Sequence, residues 1–496
     1  MESLKFVDQS LLAITAEQTK ALLPYLIMLS GALITIVFAM FRGFFNKWVY
    51  FFTLILVSIL GVYACISIWG SEPVTVFGKM FVVDSVSNYF NVLFFIILAL
   101  TTIPSLRYLD KQDLQYPEYY ILLLFSALGM MLMASSTELI TLFVSLEIMS
   151  LAVYVLVGFR RADRKSNEAS VKYFILGAAA SAILLYGAAL VYGSTGTTAI
   201  PEIISKIKEN PKLMTPLFHL GSWLLIAGFL FKVASVPFHM WMPDVYEGAP
   251  TPITGFMTTG VKAASFAAFI RVFVGLDYGD DRLLQILWII AVLTMFIGNV
   301  IALTQTNLKR MLAYSSIAHT GYLLVGMIAA AKTNGDFTSV GIYLFTYSVM
   351  NLGAFAILSV LSTRGDYGLN IQDLSGLSKT NPWLAFSMAV FLFSMAGIPP
   401  TAGFAAKYFM FYSAIEAKEY LLVVLAVLCS AISVYYYLRV LVFMYMRDRG
   451  NQESLGRISS LATFAVAMAV TLTLQVGLLP SKIIEMTQKA FVKNDT

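Results

Sequence analysis

The sequence predicts an all-α polytopic membrane protein of about fourteen transmembrane helices, the seventh and twelfth of them broken. Three observations carry this. Only 12% of the 496 residues are charged and 59% are hydrophobic, against about 25% charged in an ordinary soluble chain. Apolar stretches of about 20 residues, the length that crosses a hydrocarbon core, recur along the whole chain. Two of them are interrupted by proline beside a lysine: Lys232 with Pro237, and Lys407 with Pro399 and Pro400. The mean hydropathy of +0.79 agrees, and every spanning segment must satisfy its own backbone in lipid.

The first three spans are read over 21–41, 48–69 and 86–104. The next three follow over 118–135, 138–158 and 171–193. Glu147 sits near the centre of the fifth, and the run Gly177 to Ala182 in the sixth reads as helix packing. In 199–213, Ile200, Ile203, Ile204 and Ile207 alternate at helical spacing with Glu202, Lys206 and Lys208. That pattern predicts an amphipathic helix lying along the membrane surface.

The seventh span, 217–239, carries Lys232 and Pro237, and a proline there breaks the helix. The eighth, 252–275, has Lys262 near its centre. The ninth and tenth run over 283–304 and 311–331, with His319 central in the tenth beside Tyr314, Ser315, Ser316 and Thr320. The eleventh covers 338–361. The twelfth, 382–417, is too long for one crossing and holds Gly397, Pro399 and Pro400 in its middle, which predicts two half-helices. Spans over 420–446 and 459–479 complete the set. The two broken spans lie five spans apart, which points to inverted repeats over 118–275 and 283–446, flanked by helices in 21–104 and 459–479. No composition shift marks a soluble domain, so a single domain is expected.

Fourteen spans put both termini on one side. Arg160, Arg161, Arg164 and Lys165, then Arg447, Arg449 and Arg457, then Arg42 and Lys47, all fall in loops of one face. The positive-inside rule makes that face cytoplasmic. The net charge of +5 is read as loop charge facing lipid, not as a nucleic-acid surface. Cys65 and Cys429 lie in separate apolar runs and are expected to be buried and unpaired. The N-terminal stretch lacks the pattern of a cleavable signal. No zinc motif, phosphate-binding loop, dinucleotide fingerprint or haem attachment signature is present, so neither metal nor redox cofactor is expected on this chain.

Ionisable residues inside the spans are Glu147, Lys232, Lys262, His319 and Lys407. Charge at mid-bilayer is expensive and usually functional. Burial disfavours a charged form and a neighbouring opposite charge restores it. A lysine whose carboxylate partner moves can therefore gain or lose a proton, which is what a proton relay requires. The plainer alternatives are a structural hydrogen bond for Glu147, snorkelling for Lys232 and Lys407, and a packed neutral imidazole for His319. His239 is either interfacial or a supporting partner, and His219 is interfacial.

FKVASVPFHMWMPDVYEGAPTPITGFM, KRMLAYSSIAHTGY and MAGIPPTAGFAAKYFMF resemble the antiporter-like membrane subunits of respiratory complex I. The resemblance covers nearly the whole chain. It implies fourteen helices with two five-helix inverted repeats, and proton translocation driven by quinone reduction in other subunits of the bacterial inner membrane. It places Glu147 as the fifth-helix glutamate that pairs with Lys232 on the seventh. Lys262 falls on the central polar axis, His319 on the tenth-helix polar stripe, and Lys407 at the far half-channel. The implied partners are neighbouring antiporter-like and small membrane subunits and the lipid bilayer, with no nucleic acid. Flavin, iron–sulfur clusters and quinone would sit on other subunits. A cation/proton antiporter subunit would use the same ionisable residues, and a purely anchoring subunit would use none of them.

Overall fold

A computed structural model describes residues 15–41, 46–276, 281–333, 335–366, 368–448 and 459–491. Its helices are α1 (Ala16–Met40), α2 (Lys47–Ser67), α3 (Ser85–Gln112), α4 (Pro117–Ser135), α5 (Leu139–Val157), α6 (Arg164–Thr195) and α7 (Ile200–Glu209). The seventh and eighth spans give α8 (Pro216–Lys232), α9 (Met242–Gly248), α10 (Thr251–Phe256), a π-helical turn over Met257–Val261, and α11 (Lys262–Leu276). Then come α12 (Asp281–Thr304), α13 (Leu308–Lys332), α14 (Thr338–Leu361), the single turn α15 (Leu377–Thr380), α16 (Pro382–Ala396), α17 (Ala402–Glu416), α18 (Tyr420–Met446), α19 (Ser460–Leu478) and α20 (Ser481–Phe491). Among the described residues twelve helical segments are long and apolar enough to cross a membrane. The shorter apolar helices are α8 and α16, the first halves of the two interrupted spans.

Both interruptions follow from one steric rule. A proline ring clashes with the carbonyl four residues back and offers no N–H to it. For Pro237 that carbonyl belongs to Val233, and α8 ends at Lys232. For Pro400 it belongs to Ala396, and α16 ends there, with Gly397 left-handed at φ +85°. The seventh helix thus stops earlier than the 239 read from the sequence. Trp241 Nε1 folds back to the Phe231 carbonyl at 3.1 Å and closes the first break.

The centre of the bundle is α3, α10–α11, α13 and α14, whose side chains are nearly all buried. The outer helices α1, α2, α6, α12, α18 and α19 expose apolar faces, as lipid contact requires. Small residues set the closest approaches. A Cβ on Gly187 of α6 would lie 2.7 Å from Leu225 N and 2.8 Å from Gly221 O of α8. Cys65 and Cys429 are both buried and free.

Two further sequence expectations change, and two elements appear that the sequence did not announce. The amphipathic segment forms α7, but Ile200, Ile203 and Ile207 are buried against the protein's own α11 instead of lying on a membrane surface. The loop after α2 carries an antiparallel hairpin, β1 (Val74–Val76) and β2 (Phe81–Val83), with Val74 opposite Val83. Beyond the last span α20 packs Phe491 against Tyr89 and Phe90 of α3, ring centroids 5.6 and 6.0 Å apart. Arg160, read as a loop charge, is buried and ion-paired. Of the other loop cations, Lys47 pairs with Asp110 at 2.6 Å, while Arg42, Arg449 and Arg457 lie outside the described residues.

Candidate functional site

Each of the three lysines picked from the sequence is buried at an irregularity of its helix. Lys232 is the last residue of α8. Lys262 directly follows the π turn, a distortion common at functional sites. Lys407 lies in α17, just past the second break.

Lys232 Nζ donates to Ser150 Oγ at 3.0 Å and Tyr154 OH at 3.3 Å, both on α5. Ser150 spends its own proton on the Leu146 carbonyl at 2.6 Å, so its lone pairs face the ammonium. Glu147, one turn before Ser150, does not pair with Lys232. Its Oε1 accepts from Ser181 Oγ of α6 at 2.5 Å. Tyr154 in turn meets Tyr173 edge-on at 4.7 Å, and Tyr173 stacks on Trp241 at 4.6 Å. Lys232 is thereby tied to the break that follows it.

Lys262 Nζ donates to Ser316 O at 2.6 Å and Ser316 Oγ at 2.5 Å, with the Tyr347 ring 5.1 Å away. Thr320 Oγ1 lies 2.8 Å from the Val233 carbonyl and 3.2 Å from the Ser316 carbonyl. It joins the end of α8 to the lysine of α11 across α13. Further along α13, His319 holds Tyr343 OH on Nδ1 at 2.6 Å and Tyr437 OH on Nε2 at 3.3 Å. Both nitrogens therefore have partners, as a packed neutral imidazole would, while the ring stays on the polar line.

Lys407 Nζ caps the broken helix. It donates to Met395 O and Ala396 O at 3.0 Å each and to Ser430 Oγ at 2.8 Å. A cation at a helix C-terminus satisfies orphan carbonyls and complements the dipole. Tyr322 of α13 lies under it, ring centroid 5.2 Å away. Ser316, His319 and Tyr322 follow each other at three-residue spacing along α13. One helix face thus carries the contacts of Lys262, His319 and Lys407, while Glu147 and Lys232 rest on separate partners supplied by α5 and α6.

A second charged group was missed in the sequence because its members sit at span ends and in loops. Asp366 Oδ2 meets Lys309 Nζ at 3.2 Å, Arg160 Nη1 at 3.4 Å and Thr251 Oγ1 at 2.9 Å. Burial alone would raise the Asp366 carboxyl, but the charges of Lys309 and Arg160 outweigh it and hold the group below its usual range. The cluster borders a polar cleft of about 510 Å³ that also reaches Glu247 and Arg310. His239 is buried on the first break, and its Nδ1 has no hydrogen-bond partner. His219 is half-buried near the start of α8.

What the sequence could not show are the neutral partners: Ser150, Tyr154, Ser181, Ser430, Tyr343 and Tyr437. Hydroxyls occur throughout apolar helices, bonded to their own helix, and nothing in a linear sequence separates these from the rest.

The family profile described as NADH:quinone oxidoreductase/Mrp antiporter, TM, matches residues 136–433. NADH-quinone oxidoreductase subunit N of Trichlorobacter lovleyi is 42% identical over 442 residues, 88% of this chain and 89% of that protein. NADH-quinone oxidoreductase subunit N 1 of Chloroherpeton thalassium is 46% identical over 425 residues, 85% of this chain and 88% of that one. Among solved structures, a chain of respiratory complex I from Thermus thermophilus with bound aureothin superposes with a TM-score of 0.80 at 34% identity. That match covers 93% of this chain and 98% of the other.

Proposed function

This chain belongs to the NADH:quinone oxidoreductase/Mrp antiporter transmembrane family, and from that premise we propose that it is the N-type proton-translocating membrane subunit of a bacterial NADH–quinone oxidoreductase. It is an integral, multi-pass membrane protein and part of a translocase whose redox chemistry lies on other subunits. Its partners are the other membrane subunits of that complex. Two inverted repeats, 118–275 and 283–446, each contribute one broken helix with its lysine.

The observation that carries the relay is the placement of buried Lys232, Lys262 and Lys407 at three helix irregularities, with α13 touching the residue after Lys232 through Thr320, Lys262 through Ser316 and Lys407 through the Tyr322 ring. In the cycle, Glu147 moves onto Lys232 and holds its ammonium. When the pair opens, Lys232 gives up a proton, which passes by way of hydroxyls and water to the amine of Lys262. It then passes by His319 to the amine of Lys407, and Lys407 releases it on the far side. Lys232 then takes up a replacement proton from the entry side, so each lysine alternates between ammonium and amine and one proton enters for each that leaves. The carbonyls of Met395 and Ala396 fix the Lys407 amine at the second break, where the line ends.

The test is Lys232→Ala in the assembled complex. Proton pumping and coupled quinone reduction are expected to fall about a hundredfold or more, the range in which a proton-transfer group contributes. Unchanged pumping with normal assembly on a native gel would refute the relay.

A further inference from the structure

We propose that Ser181 is a latch for Glu147, holding its carboxylate off Lys232 between proton transfers, so that Glu147 alternates between a neutral partner on α6 and a charged one on α8. This rests on the reading of Glu147 and Lys232 as the switchable pair.

Ser181 is the first reason. A serine inside a helix ordinarily donates to the carbonyl four residues back. Ser105, Ser135, Ser145, Ser150, Ser222 and Ser265 all do so here. Ser181, 5% exposed, instead directs its proton to Glu147 Oε1 on another helix. A hydroxyl bonded to a carboxylate oxygen is a charge-assisted bond.

The second reason is that both members of the pair are occupied. Lys232 rests on Ser150 and Tyr154 while Glu147 rests on Ser181. The open arrangement thus leaves no charged group bare, and opening carries no penalty of an unpaired buried polar atom. Gly177 makes this possible. It lies one turn before Ser181, and a Cβ there would stand 2.1 Å from Tyr154 OH. One short stretch of α6 therefore supplies the clearance for the partner of Lys232 and the hydroxyl for Glu147. The run from Gly177 to Ala182 is part of the site as well as a packing seam.

Mechanics are the third. A Cβ on Gly221 of α8 would meet Gly187 O of α6 at 2.9 Å, and one on Gly228 would meet Leu184 Cβ at 2.7 Å. Helices in such contact move together. Ser181 and Lys232 thus ride on one body, and Glu147 rides on α5. A turn of the glutamate side chain, or a small slide of α5 against that body, exchanges one partner for the other. The other titratable groups that face Glu147 are Tyr154 of α5 and Tyr173 of α6.

The experiment is a substitution series in the assembled complex: Ser181→Ala, Ser181→Thr, Lys232→Ala and Glu147→Gln, with assembly followed on native gels. Without the latch hydroxyl, Glu147 stays on Lys232 and slows release of its proton. Ser181→Ala is expected to lower coupled pumping about ten- to a hundredfold, the worth of one hydrogen bond to a charged group. Ser181→Thr, which keeps the hydroxyl, is expected to restore most of it. Wild-type pumping in Ser181→Ala overturns the latch, and so does a loss that Ser181→Thr fails to recover. If Lys232→Ala and Glu147→Gln pump normally, the relay itself falls. If they fail while Ser181→Ala pumps normally, only the latch falls.

Discussion

At Gly397 the backbone is left-handed, and an added Cβ would stand 2.9 Å from Cδ of Lys407. Gly397→Ala therefore strains the chain by about 1–2 kcal/mol and pushes the ammonium off the Met395 and Ala396 carbonyls. The expected result is a lower melting temperature of the solubilised complex together with a loss of pumping in the direction of Lys407→Ala. Melting and pumping that match the wild type would refute the capping role. At this scale the sequence showed the charged half of the site. Glu147, Lys232, Lys262 and Lys407 stand out because an ionisable group in an apolar run is rare. Their resting partners do not stand out, since serine and tyrosine are tolerated anywhere in a span. The open state of the Glu147–Lys232 pair follows from where Ser150 and Ser181 happen to converge.

Among the elements, the broken helices were legible and their end points were not. Pro237, Pro399 and Pro400 announce breaks, but a helix ends at the carbonyl the ring collides with, several residues upstream. Helix α20 escaped notice for a different reason. It is short and carries Lys482, Glu485 and Lys489, so hydropathy does not flag it, and its order comes from the partner it packs on. Phe491 fits against Tyr89 and Phe90, and Tyr89 OH donates to Gly341 O of α14 at 3.0 Å. Phe491→Ala is expected to cost about 3 kcal/mol, as for a buried phenylalanine, read as earlier thermal unfolding with little change in pumping per assembled complex. Unfolding at the wild-type temperature would show that α20 is not held by this contact. Likewise α7 has the alternation of a surface helix, and only the position of α11 decides that its apolar face is covered by protein.

For the molecule as a whole, Asp366 joins the loop after α14 to the α5–α6 loop through Arg160 and to the start of α13 through Lys309. Its carboxyl is held below the usual carboxylate range in the fold. A group so depressed adds stability above its unfolded pKa of about 4 and loses it as the pH falls through the folded value. Asp366→Asn leaves two buried cations without their counter-charge and is expected to cost about 3–5 kcal/mol at pH 7. The gap between variant and wild type should close as the pH is taken below about 4, measured as melting temperature across a pH series. A gap that stays constant into acid would mean the ion pairs are not what Asp366 contributes. The overall plan, many spans with two of them interrupted, was visible in composition and spacing alone. This cluster was not, because its charges are far apart in sequence and each looks like an ordinary loop residue. The buried thiols of Cys65 and Cys429 have a practical corollary for following the cycle. The native chain presents little for a water-soluble maleimide to label, so a single cysteine engineered at a relay position can act as a reporter in an otherwise unmodified background, its alkylation rate timing the arrival of solvent at that depth during turnover.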